Sequence, residues 1–211
     1  MASIIIGVTG KKRHGKDTFA ARLIDAHGFT RIAFADPLKE TMEDLDPIVR
    51  IEGDELGILY GAGLSYVTIG PDFVRLTAIL KAIGWEKAKE IREVRRLLQA
   101  HGVAVREHLD EDAWVDAAMA KADQVDGPVV ITDVRFPNEA DAVSWSGRGF
   151  LVRVTRPGMD SGDGHVSETA MDSETAYFEV TNDGTVEDLQ AEADRVFSEI
   201  QDDYWYLFDN D

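Results

Sequence analysis

The chain opens its pattern with Ile4-Ile5-Ile6-Gly7-Val8, a short β-branched run of the kind that fills a strand buried on both faces. Phe19, Ala20, Leu23 and Ile24 then recur at helical spacing through about Ala26, and Gly28 is placed to end that helix. Phe29 to Phe34 reads as a second strand. Asp36-Pro37 follows as a helix start, with Asp as cap and Pro at the first helical position. Residues 46 to 72 hold five glycines and two prolines among scattered apolar positions, which predicts an irregular excursion with short helices at most. Helical spacing resumes at about 72–83, 87–100 and 110–124. The apolar run Val129-Val130-Ile131 ends in Thr132-Asp133 and predicts a strand closed by a carboxylate, before a helix from about Asn138 to Trp145. Strands follow at Phe150 to Thr155 and Phe178 to Thr181. The last helix carries Val186, Leu189, Ala193, Val196, Phe197 and Ile200 on one stripe. Residues 157 to 175 have three glycines and no long aliphatic run, as expected of a surface loop or lid.

Strands alternating with helices imply an α/β protein, a mainly parallel sheet flanked by helices, in one domain over residues 1–211. A helical insertion is expected at about 37–125 and a lid at about 157–175. The aromatic stretch Tyr204-Trp205-Tyr206-Leu207-Phe208 suits docking on the body or on a partner, a second copy of the chain included. Trp85 and Trp114 read as packing residues.

Composition narrows the function. No apolar run approaches the ~20 residues of a membrane helix, and the start lacks the basic region of a signal peptide, so a cytoplasmic protein is expected. With no cysteine, disulfides, thiolate catalysis and Cys-type zinc sites are excluded. His165 as a metal ligand is also disfavoured, because no second His or Cys stands at a ligand-like spacing. A net charge of −18 argues against a nucleic-acid polymer as partner. Against that background Lys11, Lys12, Arg13, His14 and Lys16 form a local cationic island suited to a small, highly charged anion.

The island lies inside Gly10-x4-Gly15-Lys16, which matches the phosphate-loop pattern through its lysine. Glycines let successive N–H groups turn toward phosphate oxygens, the next helix adds the positive end of its dipole, and Lys16 would bridge the β- and γ-phosphates of ATP. The pattern expects Ser or Thr after the lysine as a Mg2+ ligand; here Asp17 and then Thr18 stand there, so either can serve the metal. Asp133, at a strand end, is a second metal-side carboxylate of the Walker B kind or a helix cap. Arg135, two residues on, sits where ligands bind in open α/β sheets and is expected in the active centre.

From Gly10 to Thr18 the chain reads G-K-K-R-H-G-K-D-T, which resembles the deoxynucleoside monophosphate kinases of bacteriophages. The likeness continues in Ala35-Asp36-Pro37-Leu38-Lys39, Leu98-Gln99-x-x-Gly102-x-x-x-Arg106 and Asp112-x-Trp114-Val115. It extends through Thr132-Asp133-Val134-Arg135-Phe136-Pro137-Asn138-Glu139, Arg156-Pro157-Gly158 and His165-x-Ser167-Glu168. It implies a three-layer P-loop nucleoside monophosphate kinase fold and transfer of the ATP γ-phosphate to a deoxynucleoside 5′-monophosphate, in the host cytoplasm if the gene is viral. It also makes Asp17 ordinary, since the family commonly carries Asp there. The donor contacts expected are Lys11, Arg13, His14, Gly15, Lys16, Asp17, Thr18 and Arg156. Those expected for the acceptor are Lys12, Asp36, Lys39, Arg75, Arg106, Arg135, Asn138, Glu139, His165 and Glu168, with Arg75 on the helix after the excursion. Lys16, Asp133 and Arg135 would be catalytic. Two other readings stay open: a P-loop kinase of a different acceptor, such as dephospho-coenzyme A or a phosphorylated alcohol, and an ATP-binding switch. The second lacks support from any Asn-Lys-x-Asp guanine signature.

Overall fold

A computed structural model describes residues 4–55, 57, 59, 72–159 and 170–208, with the side chains of 205–208 left aside. His165, Glu168 and most of the expected lid lie outside the described residues, as do the side chains of the aromatic tail from Trp205. The elements run β1 (Ile5–Thr9), α1 (Lys16–His27), β2 (Thr30–Ile32), α2 (Asp36–Leu45), β3 (Ile48–Arg50), β4 (Phe73–Arg75), α3 (Leu76–Ala88) and α4 (Arg92–His108). They continue with α5 (Ala113–Ala122), β5 (Val129–Ile131), α6 (Pro137–Trp145), β6 (Gly149–Thr155), β7 (Phe178–Thr181) and α7 (Val186–Phe208). The chain divides into two compact units, the first made of Met1–Ala35 with Val115–Asp211 and the second of Asp36–Trp114.

The first unit is built on a five-stranded sheet in the order β2-β5-β1-β6-β7, with every pairing parallel. Parallel strands are covered on both faces, and the sequence obliges: β1, β5 and most of β6 are buried at successive positions. Alternation then sorts the side chains. Ile6, Val8, Val130, Val152 and Val154 face one layer with Phe19 and Leu23 of α1 and Leu189, Val196 and Ile200 of α7. Ile5, Val129, Ile131 and Leu151 face the other, with Ala118 of α5 and Ala140 and Val143 of α6. Phe19, Leu23 and Ile200 have no exposed surface, and each contributes roughly 1.5–3 kcal/mol of transfer free energy. Arg22 adds a bidentate grip on Asp194 of α7, at 2.8 Å for both bonds, and His27 reaches the same carboxylate at 2.7 Å.

In the second unit, Met42, Val49, Val74, Leu76, Ile79, Ile91 and Val94 make a separate core. Its hairpin, Ile48–Arg50 paired antiparallel with Phe73–Arg75, is not apparent from the periodicity, which puts 72–83 on a helix. Only Val49 and Val74 point inward, so strands of three residues carry no readable alternation. Arg75 is therefore the last strand residue and the cap of α3, not a helical one. The helix expected at 87–100 begins at Arg92, after a kink at Gly84 in α3 and a turn through Lys89.

Candidate functional site

In a parallel sheet the C-terminal strand ends face the ligand side, and β1, the central strand, delivers the glycine loop there. Gly10 has φ 142, and a Cβ on it would run into the Val154 carbonyl of β6. Arg13 is left-handed at φ 67. Gly15, at φ 102, caps α1; a Cβ there would lie 2.5 Å from Asn182 Nδ2 and 2.8 Å from Leu189 Cδ2. Neighbouring chain on the far side thus closes the space around Gly15. The first turn of α1 keeps its outward N–H groups, because no side chain caps it.

A cavity of about 280 Å³ opens at this helix start, close to the size of a small-ligand pocket. Arg13, Gly15, Lys16, Asp17 and Thr18 form one wall, Arg156 from the end of β6 another, and Asn182 to Leu189 the third. The Lys16 ammonium donates to the Lys11 carbonyl at 3.2 Å, folded over its own loop. Six residues of the expected donor set, Arg13, Gly15, Lys16, Asp17, Thr18 and Arg156, are thus brought together in the first unit.

Other expected residues are placed differently. The Lys11 ammonium pairs with Asp172 at 3.2 Å, away from that cavity. His14 is 6% exposed; its Nε2 lies 3.2 Å from the Met159 carbonyl, and its Nδ1 is buried with no hydrogen-bond partner. An imidazole so enclosed packs inside the protein, with Nε2 donating to a carbonyl oxygen that can only accept. Asp133 accepts the amides of Phe34 at 2.7 Å and Ala35 at 3.2 Å, one on each oxygen, and so ties the exit of β2 to that of β5. Arg135 and Lys12 are exposed. Glu139 turns back on its own helix start, accepting the Arg135 amide at 2.6 Å and the Phe136 amide at 3.1 Å as the carboxylate half of a capping box, with Asn138 beside it in the first turn. Burial, reinforced by Asp133, pushes the Glu139 carboxyl up to about 7 despite those two bonds.

In the second unit Asp36 and Lys39 pair at 3.4 Å at the start of α2. Arg75 donates to the Asp46 carbonyl at 2.9 Å, while Asp46 Oδ1 accepts the Thr77 amide, so this arginine braces the turn into β3. Arg106 is exposed in the last turn of α4. Trp114 donates to the Gly102 carbonyl at 3.2 Å, and Trp85 to Glu43 at 2.6 Å, both as packing residues.

Two contributors escape a motif reading. Arg153 of β6 holds the carbonyls of Met171 and Glu174 at 2.7 and 2.6 Å, fixing where the chain returns to β7. Asn182 follows β7 in Asn182-Asp183-Gly184-Thr185, a turn-forming sequence between a strand and a helix. Its position at a parallel strand end was the available signal.

A glycine loop between the central parallel strand and its helix, with a lysine opening the helix and an arginine-lined cavity beside it, defines a P-loop nucleotide-binding protein. A family model for deoxynucleotide monophosphate kinases matches residues 67–193. A relative in Acanthamoeba polyphaga mimivirus, carrying the same kinase description, is 31% identical over 192 residues, 90% of this chain and 93% of its own. The deoxynucleotide monophosphate kinase of Escherichia phage RB69 is 30% identical over 139 residues, 64% of this chain and 54% of the phage enzyme, so the match spans about half of that relative. Among solved structures, dephospho-CoA kinase from Campylobacter jejuni is 15% identical over 93% of this chain and 96% of its own, with a TM-score of 0.46. The chain belongs to the deoxynucleotide monophosphate kinase family.

Proposed function

We propose that the protein transfers the γ-phosphoryl group of ATP to a deoxynucleoside 5′-monophosphate, releasing ADP and the deoxynucleoside diphosphate. The observation that carries this reading is Lys16 at the uncapped start of α1, on the wall of a cavity shared with Arg13 and Arg156. Phosphoryl transfer asks for positioning and for positive charge around three equatorial oxygens, and these groups supply both. The loop amides and the helix start bind the donor phosphates. Lys16 leaves the Lys11 carbonyl to follow the moving charge, and Arg13 and Arg156 cover the nucleotide.

Asp17 and Thr18 bring a carboxylate and a hydroxyl to the loop wall of the cavity, and among the described residues no group of three His, Cys, Asp or Glu forms a cage for a metal. That donor set suits Mg2+, which takes one or two protein oxygens and completes its shell with water and substrate phosphates. When bound, Mg2+ would neutralise charge on the β- and γ-oxygens. With both oxygens on backbone amides, Asp133 is assigned to positioning. Exposed Arg135 and Lys12 are the acceptor-side cations of the first unit. Asp36, Lys39 and Arg106 keep the acceptor role that the family likeness implies, whereas Arg75 is assigned to the Asp46 turn. Glu139 is assigned to the cap of α6. The substrates are cytoplasmic metabolites, and the proposed site of action is the cytoplasm.

The test is ADP release measured with the four deoxynucleoside monophosphates, their ribo counterparts and dephospho-coenzyme A. Turnover of at least one deoxynucleotide is expected. Turnover of another acceptor alone, or ATP binding with no acceptor-stimulated ADP release, overturns the proposal.

A further inference from the structure

The phosphate loop is held from behind as well as from its own glycines. Asn182 is 7% exposed, and its Nδ2 lies 2.9 Å from the His14 carbonyl oxygen inside the protein. A carbonyl oxygen only accepts, so the group facing it is the amide NH2. The Asn182 backbone is fixed in turn, its N–H donating to the Thr155 carbonyl at 2.7 Å. The His14 ring is pinned separately by the Met159 carbonyl. The residue between Arg13 and Gly15, both at positive φ, is therefore anchored through its main chain and its side chain.

We infer that Asn182 is a positioning residue for donor-phosphate binding: its side-chain amide fixes the His14–Gly15 peptide and so presets the amides that begin α1. The inference rests on the reading of this cavity as the ATP site. The geometry supplies the reason. Rotating the His14–Gly15 peptide would turn the His14 carbonyl out of its bond and redirect the Gly15 amide, and the buried Asn182 donor would be left without an acceptor. Gly15 fits beneath Asn182 only because it lacks a Cβ, so the two positions work as one joint. Asn182 also lines the cavity, which raises the alternative that it touches the base of ATP directly.

The test uses the full chain with Asn182→Ala, which removes the donor, and Asn182→Asp, which keeps the shape but turns an acceptor toward the carbonyl. Loss of a buried donor at a preorganised site is expected to raise KM for ATP about tenfold, more for N182D than for N182A. KM for the deoxynucleoside monophosphate should stay within twofold, and the rise in Tm on adding ATP should shrink. Tripolyphosphate, which has no base, serves as competitive inhibitor, and its Ki should rise by the same factor as KM for ATP. A penalty on ATP without one on tripolyphosphate would make Asn182 a base contact and overturn the inference. So would a KM for ATP within twofold of the parent, or equal rises in both KM values, as general loosening produces. If neither variant holds the native fold, Asn182 is a packing residue and the inference also falls. A parent that turns over no nucleotide refutes the functional reading itself, a result distinct from all of these.

Discussion

Replacing Glu139 by Gln removes one negative charge from the start of α6 while preserving the side chain's shape and its acceptor oxygen. That oxygen holds the amides of Arg135 and Phe136, and Gln can accept both bonds. The carboxyl's pKa is lifted from an ordinary 4.5 to about 7, by burial first and by the charge of Asp133 in support. Between those values the folded chain keeps a proton that the unfolded chain has released. Stability from this group is thus complete below about pH 4.5 and is lost as pH rises through about 7. At ~1.4 kcal/mol per pKa unit, the gap sets a ceiling of about 3 kcal/mol, and relaxation of the charged site brings the expected effect to roughly 1–3 kcal/mol. Urea unfolding of parent and E139Q across pH 5 to 8.5, with nucleotide and divalent ions absent, reads this directly. The chain's large negative charge makes both proteins pH-sensitive, but it cancels in their difference. E139Q should be the more stable at pH 8, and its advantage should shrink toward pH 5. An advantage independent of pH, or a less stable E139Q at pH 8, would refute the account of a buried charge bound by its own helix.

Lys16→Ala should lower kcat by roughly 10²–10³ with Tm within a few degrees of the parent, because Lys16 is half-buried at the start of α1 and outside the hydrophobic core; an unchanged kcat would remove the lysine from the chemistry. Gly15→Ala should weaken ATP binding by isothermal titration at least tenfold, since its Cβ would meet Asn182 and Leu189 and its φ of 102 suits no other residue; parental affinity would show that the loop tolerates distortion. Asp194→Asn should cost about 1 kcal/mol at pH 7 in chemical unfolding, a figure discounted because the carboxylate is about one-third exposed. Arg22 first, and then His27, hold that carboxyl down to about 2, so the loss should fade as pH falls from about 4 toward 2. A penalty that persisted in acid would separate it from the ion pair.

Where the chain buries both faces of a strand, as in β1 and β5, hydrophobicity alone located it, and β6 and β7 also lie within a residue or two of their expected bounds. The glycine loop was equally legible, because its geometry is dictated by residues adjacent in sequence. What stayed hidden depends on contacts between distant segments. The β3–β4 hairpin joins residues 23 or more positions apart through one inward side chain on each strand. Asn182 reaches back 168 residues to His14, and nothing about an Asn in a turn announces that partner. Polar residues show the same dependence. Glu139, Arg75 and Asp133 carry groups suited to a substrate or metal, and each also meets backbone of its own unit, a partner that residue type alone does not announce.

Arg13 stands at φ 67, a left-handed conformation that costs a side-chain-bearing residue about 1–2 kcal/mol and costs glycine almost nothing. Stability on its own would favour Gly at that position, and the long cation there has no fold contact to repay the penalty among its described hydrogen bonds. On the proposed function, the loop holds this unfavourable conformation at the place where a nucleotide's negative charge would arrive. Ligand binding and resting stability would then pull on this one position in opposite directions, and a screen for heat resistance would tend to erase the residue that a screen for turnover retains.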